Sequence, residues 1–207
     1  MKKLTILAML LLCCSTQAEV TSHYTTTHYS FNARDVEDLV QKIKSKGPKI
    51  GSKTAWAIIN WNLTTQYSFS STEQGCNIVV EDMEVLANVV LPNWKNIKNK
   101  KADIQNWWKE YYAFMEKHED LHFESALTSA KDFEQKLFEM EEQPDCKKVR
   151  YKYLMLKKEF LDNVNLVDKS IDKNTSQQFY TNVKLFSPLK KFSPIVFESG
   201  GMSSFIR

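Results

Sequence analysis

No stretch of this chain is long and apolar enough to cross a membrane. The apolar run from Leu4 to Leu12 falls well short of the roughly 20 residues that a spanning helix takes, so no transmembrane anchor is expected. The run suits a different purpose. Lys2 and Lys3 precede it as a short basic segment, and Ser15-Thr16-Gln17-Ala18 follows with small residues where a signal peptidase cuts. Cleavage after Ala18 makes residues 1–18 a signal peptide and the product an exported protein, periplasmic or secreted. A lipoprotein signal acylated at Cys13 or Cys14 would need a small residue before the cysteine; Leu12 and Cys13 stand there instead. The Met-Lys-Lys start and a composition rich in Lys and Asn fit bacterial export.

An excess of one charge is also missing. The full chain holds 28 basic and 25 acidic residues, and removing Lys2 and Lys3 leaves 26 against 25, a net charge of +1. That balance excludes the field a nucleic-acid or anionic-membrane partner needs. Cysteine is scarce: of four, Cys13 and Cys14 leave with the signal, and Cys76 and Cys146 remain. Two cysteines have one possible pairing, and an oxidising compartment favours it over two buried thiols. The length after cleavage suits one domain with a real core. There are no internal repeats.

Glycine and proline number five each, and their placement sections the chain. Val20 to Phe31 is rich in Thr, Tyr and Val and reads as a strand; DVEDLVQKIKSKG follows with Val36, Leu39, Val40 and Ile43 on one helical face and Gly47-Pro48 as a stop. Thr54 to Phe69 alternates apolar and polar residues as a long strand. Glu73-Gln74-Gly75 turns it, and Cys76 to Leu91 returns antiparallel, with Pro92 ending the sheet. From Asp103 to Glu142 there is neither Gly nor Pro, and Ile104, Trp107, Trp108, Tyr111, Phe114, Met115, Leu121, Ala126, Phe133 and Leu137 mark a helical face. After a turn at Pro144, Lys147 to about Ile171 gives a second helix with Tyr151, Leu154, Met155, Phe160, Leu161 and Val164 as its face. Helices joined by so short a turn pack antiparallel. The expectation is an α+β fold, a small antiparallel sheet on a long helical hairpin, over residues 19–178. Residues 179–207 form a C-terminal extension. Trp107-Trp108 and Tyr111-Tyr112 could offer a carbohydrate platform, but at helical spacing they read as core.

Histidine is the last scarcity, with four in the chain, and two of them lie in His118-Glu119-Asp120-Leu121-His122. On a helix, residues four apart stack on one face. His118 and His122 can therefore direct imidazole nitrogens at one zinc ion. Glu119, about 100° around the helix, can act as general base beside the open coordination position. The competing reading is a solvated charged face, since Glu116, Lys117, Asp120 and Glu124 surround the motif.

Several landmarks sharpen the choice. Tyr29, Leu39, Gly47-Pro48, Trp56, Trp61, Cys76, Leu91-Pro92-Asn93-Trp94, Trp107 and the HEDLH motif occur in one order over roughly Tyr24 to Gln177. In this the chain resembles a bacterial family of unknown function described as predicted secreted zinc-dependent proteases. The resemblance implies a zincin-like exported metallopeptidase with His118 and His122 as zinc ligands, Glu119 as catalytic base, and a peptide or protein as substrate. One departure matters. Where members carry Tyr-Asp-x-x-Thr-x-His-Gly, this chain has Ile171-Asp172-Lys173-Asn174-Thr175-Ser176-Gln177-Gln178, so the expected third ligand histidine is replaced by Gln177. Antiparallel packing from the Pro144 turn sets Leu166 to Asp172 beside the histidines, leaving Asp172 or Asp168 to complete a His-His-carboxylate site. Glu159 falls nearer Ser129, and His23 and His28 reach the site only if the first strand docks there. The competing function is a catalytically silent envelope binding protein of the same fold. A helical module in which the motif is coincidental is a third reading.

Overall fold

A computed structural model describes the backbone of residues 19–182 and the side chains of residues 19–175. The sheet is built on its longest strand. After β1 (Thr21–Phe31), helix α1 (Val36–Lys46) and a minimal hairpin of β2 (Lys49–Ile50) and β3 (Lys53–Thr54), the chain forms β4 (Ile58–Ser71) and β5 (Cys76–Trp94). Strand order is β1-β5-β4, with β4 antiparallel to β5 and β1 parallel to it. The sheet is therefore mixed, not antiparallel throughout as the sequence suggested. β1 reaches β5 by way of α1, the β2-β3 hairpin and β4, and so long a connection permits the parallel arrangement. Val85, Ala87, Val89 and Leu91 alternate inward from β5 and are buried, the period of a sheet covered on one face.

Several boundaries differ from expectation: the strand expected from Thr54 to Phe69 runs from Ile58 to Ser71, with Thr54 in β3. Pro92 does not end β5, which continues to Trp94. Pairing with β4 stops at Ile58↔Val90, so beyond that point β5 is an edge on one side and can hold a residue without an N–H. The second long helix does not stop at Ile171, because no Gly or Pro follows until Pro188. After a short 3-10 turn (Ile97–Asn99), α2 (Ala102–Phe138) and α3 (Cys146–Asn182) each run 37 residues as an antiparallel hairpin. The backbone of Gln177-Gln178 is thus helical. The Gln177 side chain, residues 1–18 (the expected signal peptide) and residues 183–207 lie outside the described residues. No described helix is long and apolar enough to cross a membrane.

Trp107, Trp108 and Tyr111 are buried, with Trp94 edge-on to Trp108 at 5.6 Å and Trp56 edge-on to Tyr111 at 4.8 Å. They are core and no carbohydrate platform. Phe133 stacks on Phe160 at 5.5 Å across the hairpin. The inner face of α3 is Val149, Tyr153, Phe160 and Val164; the expected face residues Tyr151, Leu154 and Met155 are exposed, as is Leu121 on α2. Both sets on α3 have helical spacing, and periodicity alone does not choose between them.

The turn end of the hairpin is tied to the sheet. Cys76 and Cys146 form a disulfide, and Cys76 exchanges backbone hydrogen bonds of 2.7 and 3.0 Å with Gln143. Gly75 is needed there, since a Cβ at that position would lie 2.3 Å from the Gln143 carbonyl oxygen. At the other end, β1 runs antiparallel to α2. Tyr24 donates to Asp120 (2.7 Å) and packs edge-on to Phe123, and His28 Nε2 lies 2.9 Å from the Tyr112 hydroxyl. Four strand residues rise about 13 Å and eight helical residues about 12 Å, so strand and helix keep step.

Candidate metal centre

The HEDLH segment lies mid-way along α2, with no Gly or Pro to break the ladder. His118 and His122 stand one above the other, and α3 presents Asp172 and Asp168 at the same spacing in the opposite sense. His122 therefore meets both aspartates, and Asp172 also lies beside His118. His122 Nδ1–H donates to Asp168 Oδ1 at 2.8 Å, a direction set by a carboxylate that can only accept. That bond turns His122 Nε2 toward a second group of atoms. His122 Nε2 lies 3.2 Å from His118 Nε2 and 3.2 Å from Asp172 Oδ1, and His118 Nε2 lies 3.4 Å from the same oxygen.

Three donor atoms thus form a nearly equilateral triangle. For zinc–ligand bonds of about 2.0–2.1 Å in tetrahedral geometry, the edge between two ligand atoms is about 3.3–3.4 Å. The triangle fits one face of such a tetrahedron, and two imidazoles with one carboxylate are a donor set that zinc accepts. Among the described residues His118, His122 and Asp172 are the group that could hold a metal ion. Asp168 stands behind His122, where it orients the ring. The two aspartates that the sequence left as alternatives hold different places.

The electrostatics follow from the burial. His122 is 0% exposed, which works against its charge, yet the Asp168 and Asp172 carboxylates raise its pKa to about 9. His118, also buried, is shifted below the ordinary histidine value by the same loss of solvent. The two rings are thus pushed in opposite directions, His122 toward its protonated form and His118 toward its neutral one. Glu119 is 3% exposed and its Oε2 is buried with no hydrogen-bond partner among the described residues. Burial raises its carboxyl to about 7, while nearby His122 and the backbone N–H of Ile59 on β4 oppose the rise and Asp172 adds to it. A carboxyl poised near neutrality can take or give a proton at ordinary pH.

Other candidates lie elsewhere. Glu159 pairs with Lys136 at 3.0 Å toward the turn. His28 faces Tyr112, and His23 is exposed on β1 opposite Leu86. β1 does dock along α2, but on the side of Asp120 and Phe123, not that of the histidines. Sequence reading missed Ile59, whose contribution is a backbone amide and carries no side-chain signature. It also missed that β4 is an edge strand: no strand among the described residues pairs with it on the side away from β5.

A family model described as "Bacterial protein of unknown function (DUF922)" matches residues 26–178. No curated protein and no solved structure matches the chain.

Proposed function

The chain belongs to the DUF922 family of bacterial proteins of unknown function, and on that premise we propose that it is an exported zinc-dependent peptidase. The observation that carries the reading is the triangle of His118 Nε2, His122 Nε2 and Asp172 Oδ1 with Glu119 buried beside it. In a zincin-like arrangement these three would hold the ion. Zinc so held supplies Lewis-acid polarisation of a carbonyl and acidifies a water nucleophile. The protein's own groups do the rest. Glu119 is the proton carrier: its Oε2 has no other partner among the described residues and its carboxyl sits near pH 7. It accepts a proton from the attacking water and returns it to the leaving amine. Asp168 fixes the His122 ring so that Nε2, not Nδ1, is the nitrogen that would be offered to an ion. The open edge of β4, which brings the Ile59 amide to Glu119, gives an extended peptide a strand to pair with.

Zinc content measured by mass spectrometry tests this. One zinc per wild-type chain, lost in His122→Ala, is expected; stoichiometric zinc in that variant would sink the assignment. Glu119→Gln should keep the metal and abolish peptide hydrolysis.

One observation favours a second reading. His118, Glu119 and His122 are all at most 3% exposed, and a carbonyl must reach the ion to be cleaved. A catalytically silent envelope binding protein, with the metal serving only to tie α2 to α3, would need no such access. In that case Glu119→Gln changes no hydrolysis, because the wild type has none.

A further inference from the structure

The start of the folded chain makes a contact that the metal centre does not use. Val20 is buried in the core cluster, and the strand pairing of β1 begins one residue later with Thr21 opposite Glu84. The backbone N–H of Val20 hydrogen-bonds the carboxylate of Glu134 on α2. The antiparallel run of β1 along α2 brings them together: the step that joins Tyr24 to Phe123 carries Val20 to about the level of Lys131, and the Glu134 side chain, one turn on, leans back toward the helix N-terminus to reach it. That bond satisfies part of the carboxylate only. Glu134 Oε1 is buried and has no hydrogen-bond partner among the described residues. A buried carboxylate oxygen left so is costly unless a donor is supplied. The charges in electrostatic range are the Glu19 carboxylate, which repels, and Lys131, one turn back on α2.

The sequence supplies the missing donor. Hydrolysis of the Ala18–Glu19 peptide bond adds one water, leaving a carboxylate on Ala18 and an α-ammonium on Glu19. Glu19 is one residue from the amide already bonded to Glu134, a chain distance of about 3.8 Å. We propose that the new α-ammonium of Glu19 pairs with Glu134, forming a latch that exists only after the signal peptide has been removed. Before cleavage the same nitrogen is a neutral amide and Glu134 holds a single backbone donor. Maturation therefore couples to the docking of β1 on α2, independently of whether the metal site is catalytic.

The test is a two-by-two comparison of purified chains. One begins at Glu19 and the other at Ala18, one residue longer, which displaces the charge without altering any side chain. Each is made with and without Glu134→Gln, a change that keeps shape and an acceptor for Val20. The Glu19 start should melt higher than the Ala18 start by ~2–4 °C, and the difference should vanish in the Glu134→Gln pair. A wild-type difference under about 1 °C, or one that persists in Glu134→Gln, overturns the latch. A second readout is free of stability. The Glu19 α-amine should react with an acylating probe at neutral pH several-fold more slowly in the wild type than in Glu134→Gln, and equal rates would refute the pairing.

Discussion

Asp168 and Asp172 lie one turn apart on α3, and removing each should have a different consequence. Asp172 Oδ1 belongs to the donor triangle, 3.2 Å from His122 Nε2 and 3.4 Å from His118 Nε2. Asp168 touches only the far nitrogen of His122, at 2.8 Å. Structural zinc sites bind with roughly 10–16 kcal/mol in total, so losing one of three protein donors removes on the order of 3–5 kcal/mol. Asp172→Ala should therefore weaken zinc by about three orders of magnitude, at 1.4 kcal/mol per factor of ten. Asp168→Ala removes an orienting partner, which is typically worth ~10–100-fold. Asp168→Asn, which still accepts the Nδ1–H, should lose less than Asp168→Ala. Competition against a chromophoric chelator gives the three affinities, and the far-ultraviolet spectrum of each metal-free variant confirms that it is folded. Equal losses for Asp168→Ala and Asp172→Ala would refute the division of roles, and an unchanged affinity in Asp172→Ala would remove that residue from the site.

Other expectations are independent of that one. Cys76 and Cys146 are 70 residues apart, so in the chain-entropy account their bond stabilises the fold by about 4 kcal/mol; chemical denaturation of the Cys146→Ser variant should show a loss of that order, and an unchanged midpoint would argue against the bond. Phe133→Ala removes the ring stacked on Phe160 at 5.5 Å and should cost ~3–5 kcal/mol in the same assay. Metal-free protein should lose stability as pH rises. His122, raised to about 9, contributes fully below its unfolded value near 6.5, and its contribution, on the order of 3 kcal/mol, is lost as pH passes through about 9. Glu119, raised to about 7 from 4.5, adds a loss of the same sign at lower pH, while His118, shifted down by burial, opposes it only below about 6.5; urea midpoints in chelator that rise between about pH 7 and 9.5 would contradict both. Zinc binding must displace the His122 proton, which calorimetry in two buffers of different ionisation enthalpy should register as protons released.

The amino-acid order alone determined a good deal. Alternation placed β4 and β5 and their antiparallel return, because a strand with one face covered must repeat with period two. An interval without Gly or Pro forced α2, and the spacing within it set His118 over His122 whatever the rest of the chain did. The pair Cys76 and Cys146 needed only a count. What the sequence left open was each matter that depends on two elements meeting. The expectation of an antiparallel sheet failed at β1, which pairs parallel with β5, since its Thr- and Tyr-rich strand serves either direction. The inner face of α3 was misplaced over its first turns, where Tyr151, Leu154 and Met155 mimic a buried stripe and only packing against Phe133 selects Tyr153 and Phe160. Asp168 and Asp172 share one face of one helix and are equivalent in sequence. They part only where α2 crosses them, because the ring of His122 can turn one nitrogen to each and a third atom, His118 Nε2, closes the triangle on Asp172 alone.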